Sequence, residues 1–206
     1  SGNTGSAGAN GSGKAVNVLN SGSIVTSGAN AIGVFAQSIG GGGGLALNTI
    51  SNGSMTINAS RMGAQQNSGG NGGAVDVVQN GSIVTSGAGA VGIVAQSVGG
   101  GGGYLGIVSK DASAAINSSS LVMGAASGSS GNGGAVTVTN NSLIRTSGAN
   151  AIGILAQSVG GGGGVVMVSG SGTITPTWGA GTGYGGNVTV NVDSPIYTTG
   201  AGAYGV

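Results

Sequence analysis

The chain contains no cysteine, no histidine and no glutamate in 206 residues. Seven residues carry a formal charge: Lys14, Arg61, Lys110, Arg145, Asp76, Asp111 and Asp193. Aromatic side chains are as scarce: Phe35, Tyr104, Trp178, Tyr184, Tyr197 and Tyr204. Each shortage removes a class of function. Without cysteine no disulfide can staple the fold. Three isolated aspartates do not make a ligand cluster, so no metal and no cofactor is expected. Acid–base catalysis draws on His, Glu, Asp or Lys, too few here to converge, and a serine triad lacks its base. The expectation is a protein that is not an enzyme. Four dispersed cations with a net charge of +1 are no footprint for nucleic acid. No apolar run approaches the ~18 residues of a membrane span, so no direct membrane insertion is expected. No leader opens the chain, which reads as a mature protein or an excised piece.

Glycine is what the chain has instead, at 51 residues. Collagen is excluded, because there is no Gly-X-Y period and only Pro176 and Pro195 are prolines. Disorder goes with low hydrophobicity and high net charge. Here 38% of residues are hydrophobic and the mean hydropathy is +0.33.

An internal repeat gives the glycine its meaning. Residues 24–44 read IVTSGANAIGVFAQSIGGGGG, 83–103 read IVTSGAGAVGIVAQSVGGGGG, and 144–164 read IRTSGANAIGILAQSVGGGGG. A fourth copy, IYTTGAGAYGV, begins at Ile196 and breaks off. Upstream of each lies a second shared element: KAVNV at Lys14, GAVDV at Gly73, GAVTV at Gly134 and GNVTV at Gly186. The spacing is 59 from Ser27 to Ser86, 61 from Ser86 to Ser147, and 52 from Ser147 to Thr199. Units of 13–71, 72–132, 133–184 and a truncated 185–206 follow, as one segment over 1–206 of a longer array.

The local pattern predicts strands. Val16 and Val18 alternate with polar residues. In the long shared stretch Ile32, Val34, Ala36 and Ser38 fall on one face, as do Val91, Ile93, Ala95 and Ser97, and Ile152, Ile154, Ala156 and Ser158. This face grades from large to small, as a tapering core would. Phe35, Val94 and Leu155 fall on the other face, an apolar stripe awaiting a covering hairpin or a lateral contact. Ser-Gly and Asn-Gly pairs mark corners. The fold predicted is all-β, a parallel β-solenoid (β-helix) built from Gly-rich repeats of about 60 residues. Each period would hold two or three coils, with the variable segments Leu45–Ser60, Tyr104–Ser120 and Val165–Gly179 as hairpin-like or irregular insertions. Stacking also accounts for the missing charge, since a charge on a strand would face its own copy. Asn30, Gln37, Gln96, Asn150 and Gln157 are candidates for polar ladders along the stack.

The phrase SGANAIGVFAQSIGGGGG, repeated with GGxGGAVxV, resembles the repeat in passenger regions of large Gram-negative autotransporters. It covers nearly the whole chain. The resemblance implies a secreted, cell-surface β-solenoid, a membrane barrel elsewhere in the full protein, and a role in adhesion, aggregation or biofilm formation. No catalytic motif of such passengers maps onto any position here.

Other chemistry is weighed against a structural reading. The runs beginning at Gly40, Gly99 and Gly160 superficially match a phosphate loop, but no Lys-Ser/Thr or strand–helix context follows. Their recurrence points to structure, either a tight crossing or an extended polyglycine segment packed on its counterparts. GGNGGAVDV at Gly69 resembles a calcium β-roll nonapeptide, yet Asp76 stands alone and Thr137 replaces it in the next copy. Asp111 beside Lys110 reads as a solvated pair at a loop tip. Sequons at Asn10, Asn52, Asn58 and Asn80 arise by chance in a Ser/Asn-rich chain. Trp178, Tyr184, Tyr197 and Tyr204 are candidate glycan contacts, or fillers of wide coils and open edges. Two functions follow. One is a stalk or filament partnered by further copies of itself, end to end or laterally. The other is a glycan- or receptor-binding adhesin module using the variable insertions and the C-terminal aromatics. The fold reading predicts a far-UV circular dichroism spectrum of β-sheet character; a helical spectrum excludes it.

Overall fold

Six strand positions recur in the same order along the chain. The computed structural model describes residues 11–50, 53–57, 60–64, 69–109, 116–118, 121–169 and 174–206. Copy one supplies β1 (Val16–Asn20), β2 (Ile24–Thr26), β3 (Ile32–Ile39), β4 (Gly43–Ile50), β5 (Met55–Ile57) and β6 (Ser60–Met62). Copy two supplies β7 (Val75–Gln79), β8 (Ile83–Thr85), β9 (Val91–Val98), β10 (Gly102–Ser109), β11 (Ile116–Ser118) and β12 (Leu121–Met123). Copy three supplies β13 (Val136–Asn140), β14 (Ile144–Thr146), β15 (Ile152–Val159), β16 (Gly163–Ser169) and β17 (Thr177–Trp178). The last copy supplies β18 (Val188–Val192) and β19 (Ile196–Thr198). Among the described residues there is no helix. Lys110, Asp111, Asn10, Asn52 and Asn58 lie outside the described residues.

The chain is all-β with parallel sheets. Each strand pairs with the strand at the same motif position in the neighbouring copy, giving sheets β1-β7-β13-β18, β2-β8-β14-β19, β3-β9-β15, β4-β10-β16, β5-β11 and β6-β12-β17. Among the described residues no strand pairs with another of its own copy. This corrects the expectation of two or three stacked coils per period. Pairing runs across the full period instead and brings identical motif positions together. The variable segments are not hairpins either. Their strands β4, β5 and β6 pair in parallel with β10, β11 and β12, and a hairpin would pair antiparallel.

Three apolar clusters lie between the sheets. Val34 and Ala36 of β3 pack with Val75 and Val77 of β7 and Ile83 of β8, and the same positions recur in the other copies. Leu105, Ile107, Ile116, Leu121 and Met123 form a second cluster. Between the two, Val91 and Val94 meet Tyr104. The β3-β9-β15 sheet is therefore covered on both sides, and all eight residues of β9 are buried. The stripe of Phe35, Val94 and Leu155 is covered by the chain's own β4-β10-β16 sheet, with Tyr104, Val165 and Met167 against it.

One face assignment needs correction. Ile32, Val91 and Ile152 pack in the cluster of Phe35 and Tyr104, not with Val34 and Ala36. The phase slips at the glycine that follows each. The N–H groups of Gly153 and Ile154 donate consecutively to Tyr204 and Gly205 of the same neighbouring copy, whereas a regular strand would alternate sides. This is a bulge, and glycine occupies it because a Cβ on Gly33 would press on the Gly92 carbonyl and the Ile83 side chain.

Copies differ in length only far from the first cluster. β4 pairs with β10 at Gly43↔Gly102, and β5 pairs with β11 at Met55↔Ile116. The offset grows from 59 to 61, so copy two inserts its extra residues between β10 and β11. Copy three drops residues in two places, between β16 and β17 and again after β17: its offset to copy two falls from 61 at Gly102↔Gly163 to 55 at Val122↔Thr177 and to 52 at Ser130↔Thr182.

Stacking, rather than local conformation, fixes several glycines. A Cβ on Gly28 would meet only the Ala31 Cβ, at 3.7 Å. At the same motif position a Cβ on Gly87 would enter the Gly28 carbonyl, and one on Gly148 the Gly87 carbonyl. Gly87→Ala is expected to cost about 2–3 kcal/mol and Gly28→Ala under about 0.5 kcal/mol. Urea unfolding of the two variants checks this; equal costs would refute the stacking explanation.

Candidate functional site

A concavity of the described surface lies where the chain leaves the first cluster and returns to it. The five-glycine runs make the outward passage. In each run the second to fifth residues have positive φ, as at Gly41 (84°), Gly42 (108°) and Gly43 (127°), a region that side chains disfavour. A Cβ on Gly40, Gly99 or Gly160 would enter the backbone at Gly70, Gly131–Asn132 or Gly183–Tyr184. A Cβ on Gly43 or Gly102 would enter the carbonyl of Gly102 or Gly163 in the next copy. Both expected uses of the runs are thus present: a tight crossing at the start and a packed polyglycine segment at the end. Their N–H groups are engaged. Gly100 donates to Gly70 O (2.9 Å), Gly161 to Gly131 O (2.8 Å) and Gly102 to Gly42 O (3.0 Å).

Polar side chains stitch the copies along the stack. Gln37 Nε2 donates to Gln96 Oε1 (2.5 Å), and Gln96 Nε2 donates to Gln157 Oε1 (2.6 Å). This is the ladder expected of the three glutamines. Asn30 and Asn150 do not form one. Both sit in turns at φ of 52° and 55°. Asn30 Nδ2 donates to Ile107 O (2.8 Å), and Ser169 Oγ donates to Asn30 Oδ1 (2.8 Å). The intervening copy has Gly89, whose Cβ would collide with that Asn30 side chain. Large and absent side chains alternate here because two asparagines could not both turn inward.

A second stitch, unforeseen from the sequence, uses the serine that ends each long strand. Ser38 Oγ donates to Lys14 O (2.7 Å) and accepts from Gly73 N (2.9 Å). Ser97 does the same with Gly73 O and Gly134 N, and Ser158 with Gly134 O and Gly186 N. The signal was a small hydroxyl at the narrow end of an inward face, invariant across three copies.

Charges avoid one another along the stack. Asp76 lies between Asn17 and Thr137, Arg145 between Val84 and Tyr197, and Arg61 beside Val122.

The candidate aromatic contacts occupy separate elements. Trp178 is in β17 beside Met123. Tyr197 is in β19 beside Arg145. Tyr204 bridges to Ile152 and so takes the motif position of Ile32. The Tyr184 N–H donates to Asn132 Oδ1 (2.9 Å) on the returning segment. All four side chains are exposed. Among the described residues the ring pair is Phe35–Tyr104, edge to face at 5.9 Å.

The returning segment floors an open groove of about 790 Å³. Gly70, Gly131 and Gly183 form its base, and Asn71, Asn132, Ser130, Thr182 and Tyr184 stand along it. Comparison of the chain with protein-family models, curated proteins and solved structures gives no match.

One buried group titrates out of its ordinary range. Desolvation pushes the Tyr104 hydroxyl up to about 12. That hydroxyl has no hydrogen-bond partner among the described residues. A raised folded value means that the native state holds its proton longer than the unfolded chain does. Stability therefore falls as pH rises from about 10 to about 12, by roughly 2–3 kcal/mol. Tyr104→Phe removes the unpaired hydroxyl. It is expected to raise stability by about 1 kcal/mol at neutral pH and to abolish its part of the alkaline loss. Thermal unfolding of both proteins across this range checks the sign.

Proposed function

We propose that the chain is a segment of a right-handed parallel β-solenoid, with one copy per turn, serving as a rigid, non-enzymatic stalk or filament at a bacterial cell surface. The observation that carries this reading is the register. Identical motif positions pair from copy to copy in every sheet, from Val16↔Val75↔Val136↔Val188 onward. Such pairing can be continued without limit by further copies. The inventory of side chains supports a mechanical role, since it offers backbone ladders, glutamine and serine stitches and few ionisable groups. The likeness of the repeats to autotransporter passengers supports a secreted location and a part in adhesion, aggregation or biofilm formation. Partners in this reading are further copies of the chain, end to end through open strand edges or laterally through uncharged glycine-rich faces.

Inserting extra copies of residues 72–132 tests the reading. Each should lengthen the particle by about 4.8 Å and leave its cross-section unchanged, as small-angle scattering or electron microscopy would record. An array that widens, or that forms separate beads, excludes a continuous stalk.

A further inference from the structure

The groove on the returning segment has features that a passive stalk does not require. It runs along the stack, because its lining repeats from copy to copy. Ser12, Asn71, Asn132 and Tyr184 form one row, joined by Asn71 N to Ser12 Oγ (3.2 Å), Asn132 N to Asn71 Oδ1 (2.8 Å) and Tyr184 N to Asn132 Oδ1 (2.9 Å). These bonds fix how the amides are used. Each Oδ1 is consumed by the next copy, and the Nδ2 donors of the exposed Asn71 and Asn132 have no partner among the described residues. Ser130 and Thr182 add exposed hydroxyls alongside. Tyr184, 82% exposed, adds an aromatic ring to the row. No lining side chain is charged.

We propose that this groove binds an uncharged, extended polysaccharide lying parallel to the stack, roughly one sugar unit to each copy. The spacing of the amide donors is that of neighbouring strands, about 4.8 Å. That is close to the length of one pyranose in an extended chain. Amide and hydroxyl groups suit sugar hydroxyls, and the Tyr184 ring suits the apolar face of a pyranose. A peptide strand would need backbone groups to pair with. The backbone of the floor is already engaged along the stack, with Gly72 donating to Asn132 O and Gly133 to Tyr184 O, both at 2.8 Å. The site stands independently of the stalk reading, since it requires only the groove and its rows.

The test is calorimetric titration of the full chain with neutral linear hexasaccharides (cellohexaose, xylohexaose and chitin hexamer), with polygalacturonate and an extended polar peptide as controls. At least one neutral hexasaccharide should bind saturably, with affinity rising with oligomer length until the groove is filled. Asn71→Asp and Asn132→Asp, made as separate single variants, each keep the oxygen that accepts from the next copy but lose the amide donor. Each should weaken binding severalfold or more at an unchanged unfolding midpoint, since neither places a carboxylate on a carboxylate. Tyr184→Ala, at an exposed ring, should weaken it as well without loss of fold. The proposal is overturned if no neutral hexasaccharide binds, if both aspartate variants bind as well as the original, or if polygalacturonate or the peptide is preferred.

Discussion

Each residue in the paired strands must tolerate a near-copy of itself, or its motif equivalent, about 4.8 Å away on either side. That constraint selects the composition. A glutamine tolerates a glutamine, because its amide donates to one neighbour and accepts from the other, as Gln96 does between Gln37 and Gln157. A valine tolerates a valine, because the contact is apolar. A charge repels its like, and the few strand charges are set singly between neutral neighbours, as with Asp76 between Asn17 and Thr137. Where the backbone itself must approach its counterpart, only glycine survives, as at Gly87 and Gly148.

The same constraint explains why the crossing between the two larger clusters is polyglycine. Outgoing and returning segments touch within a copy while both also touch the copies on either side. Side chains are excluded from both directions at once. The crossing permits a sheet covered on both faces, and β9, flanked by β3 and β15, has all eight of its residues buried. Tyr104 is enclosed with it, which is why a phenol ended up without a hydrogen-bond partner among the described residues.

Much of the fold was legible in the residues. The alternation at Val16 and Val18, the glutamine ladder and the solitary charges all follow from a repeat combined with the period of a strand. What was not legible has a common cause. A repeat reveals that something recurs but not which copy each strand meets. Which strands pair, and whether the segments after the glycine runs pair parallel or antiparallel, therefore stayed open until the register across copies was known. The misplacement of Ile32 is different. A lone glycine within a strand pattern signals a bulge, and Gly33 carried that signal. Asn30 and Asn150 misled because asparagine suits both a ladder and a left-handed turn, and only the interposed Gly89 distinguishes the two. Of the groove, the sequence showed Tyr184 and the glycine-rich returning segment. It did not show that two asparagines would spend their oxygens along the stack and leave their amides facing out.

The pairing across copies also bears on how such a chain can change over generations. Val136 lies on Val75 as Val75 lies on Val16. Excising the middle copy from the gene would therefore set Val136 on Val16, with the strand neighbours still matched in kind and the exception at the turn, where Asn150 would replace Gly89 over Asn30. Unequal recombination between near-identical coding segments gives just such losses and gains. The small length differences already present fall between β10 and β11, between β16 and β17 and just after β17, all away from the first cluster. An array built this way can drift in length as a population diverges, with little selection against the intermediates.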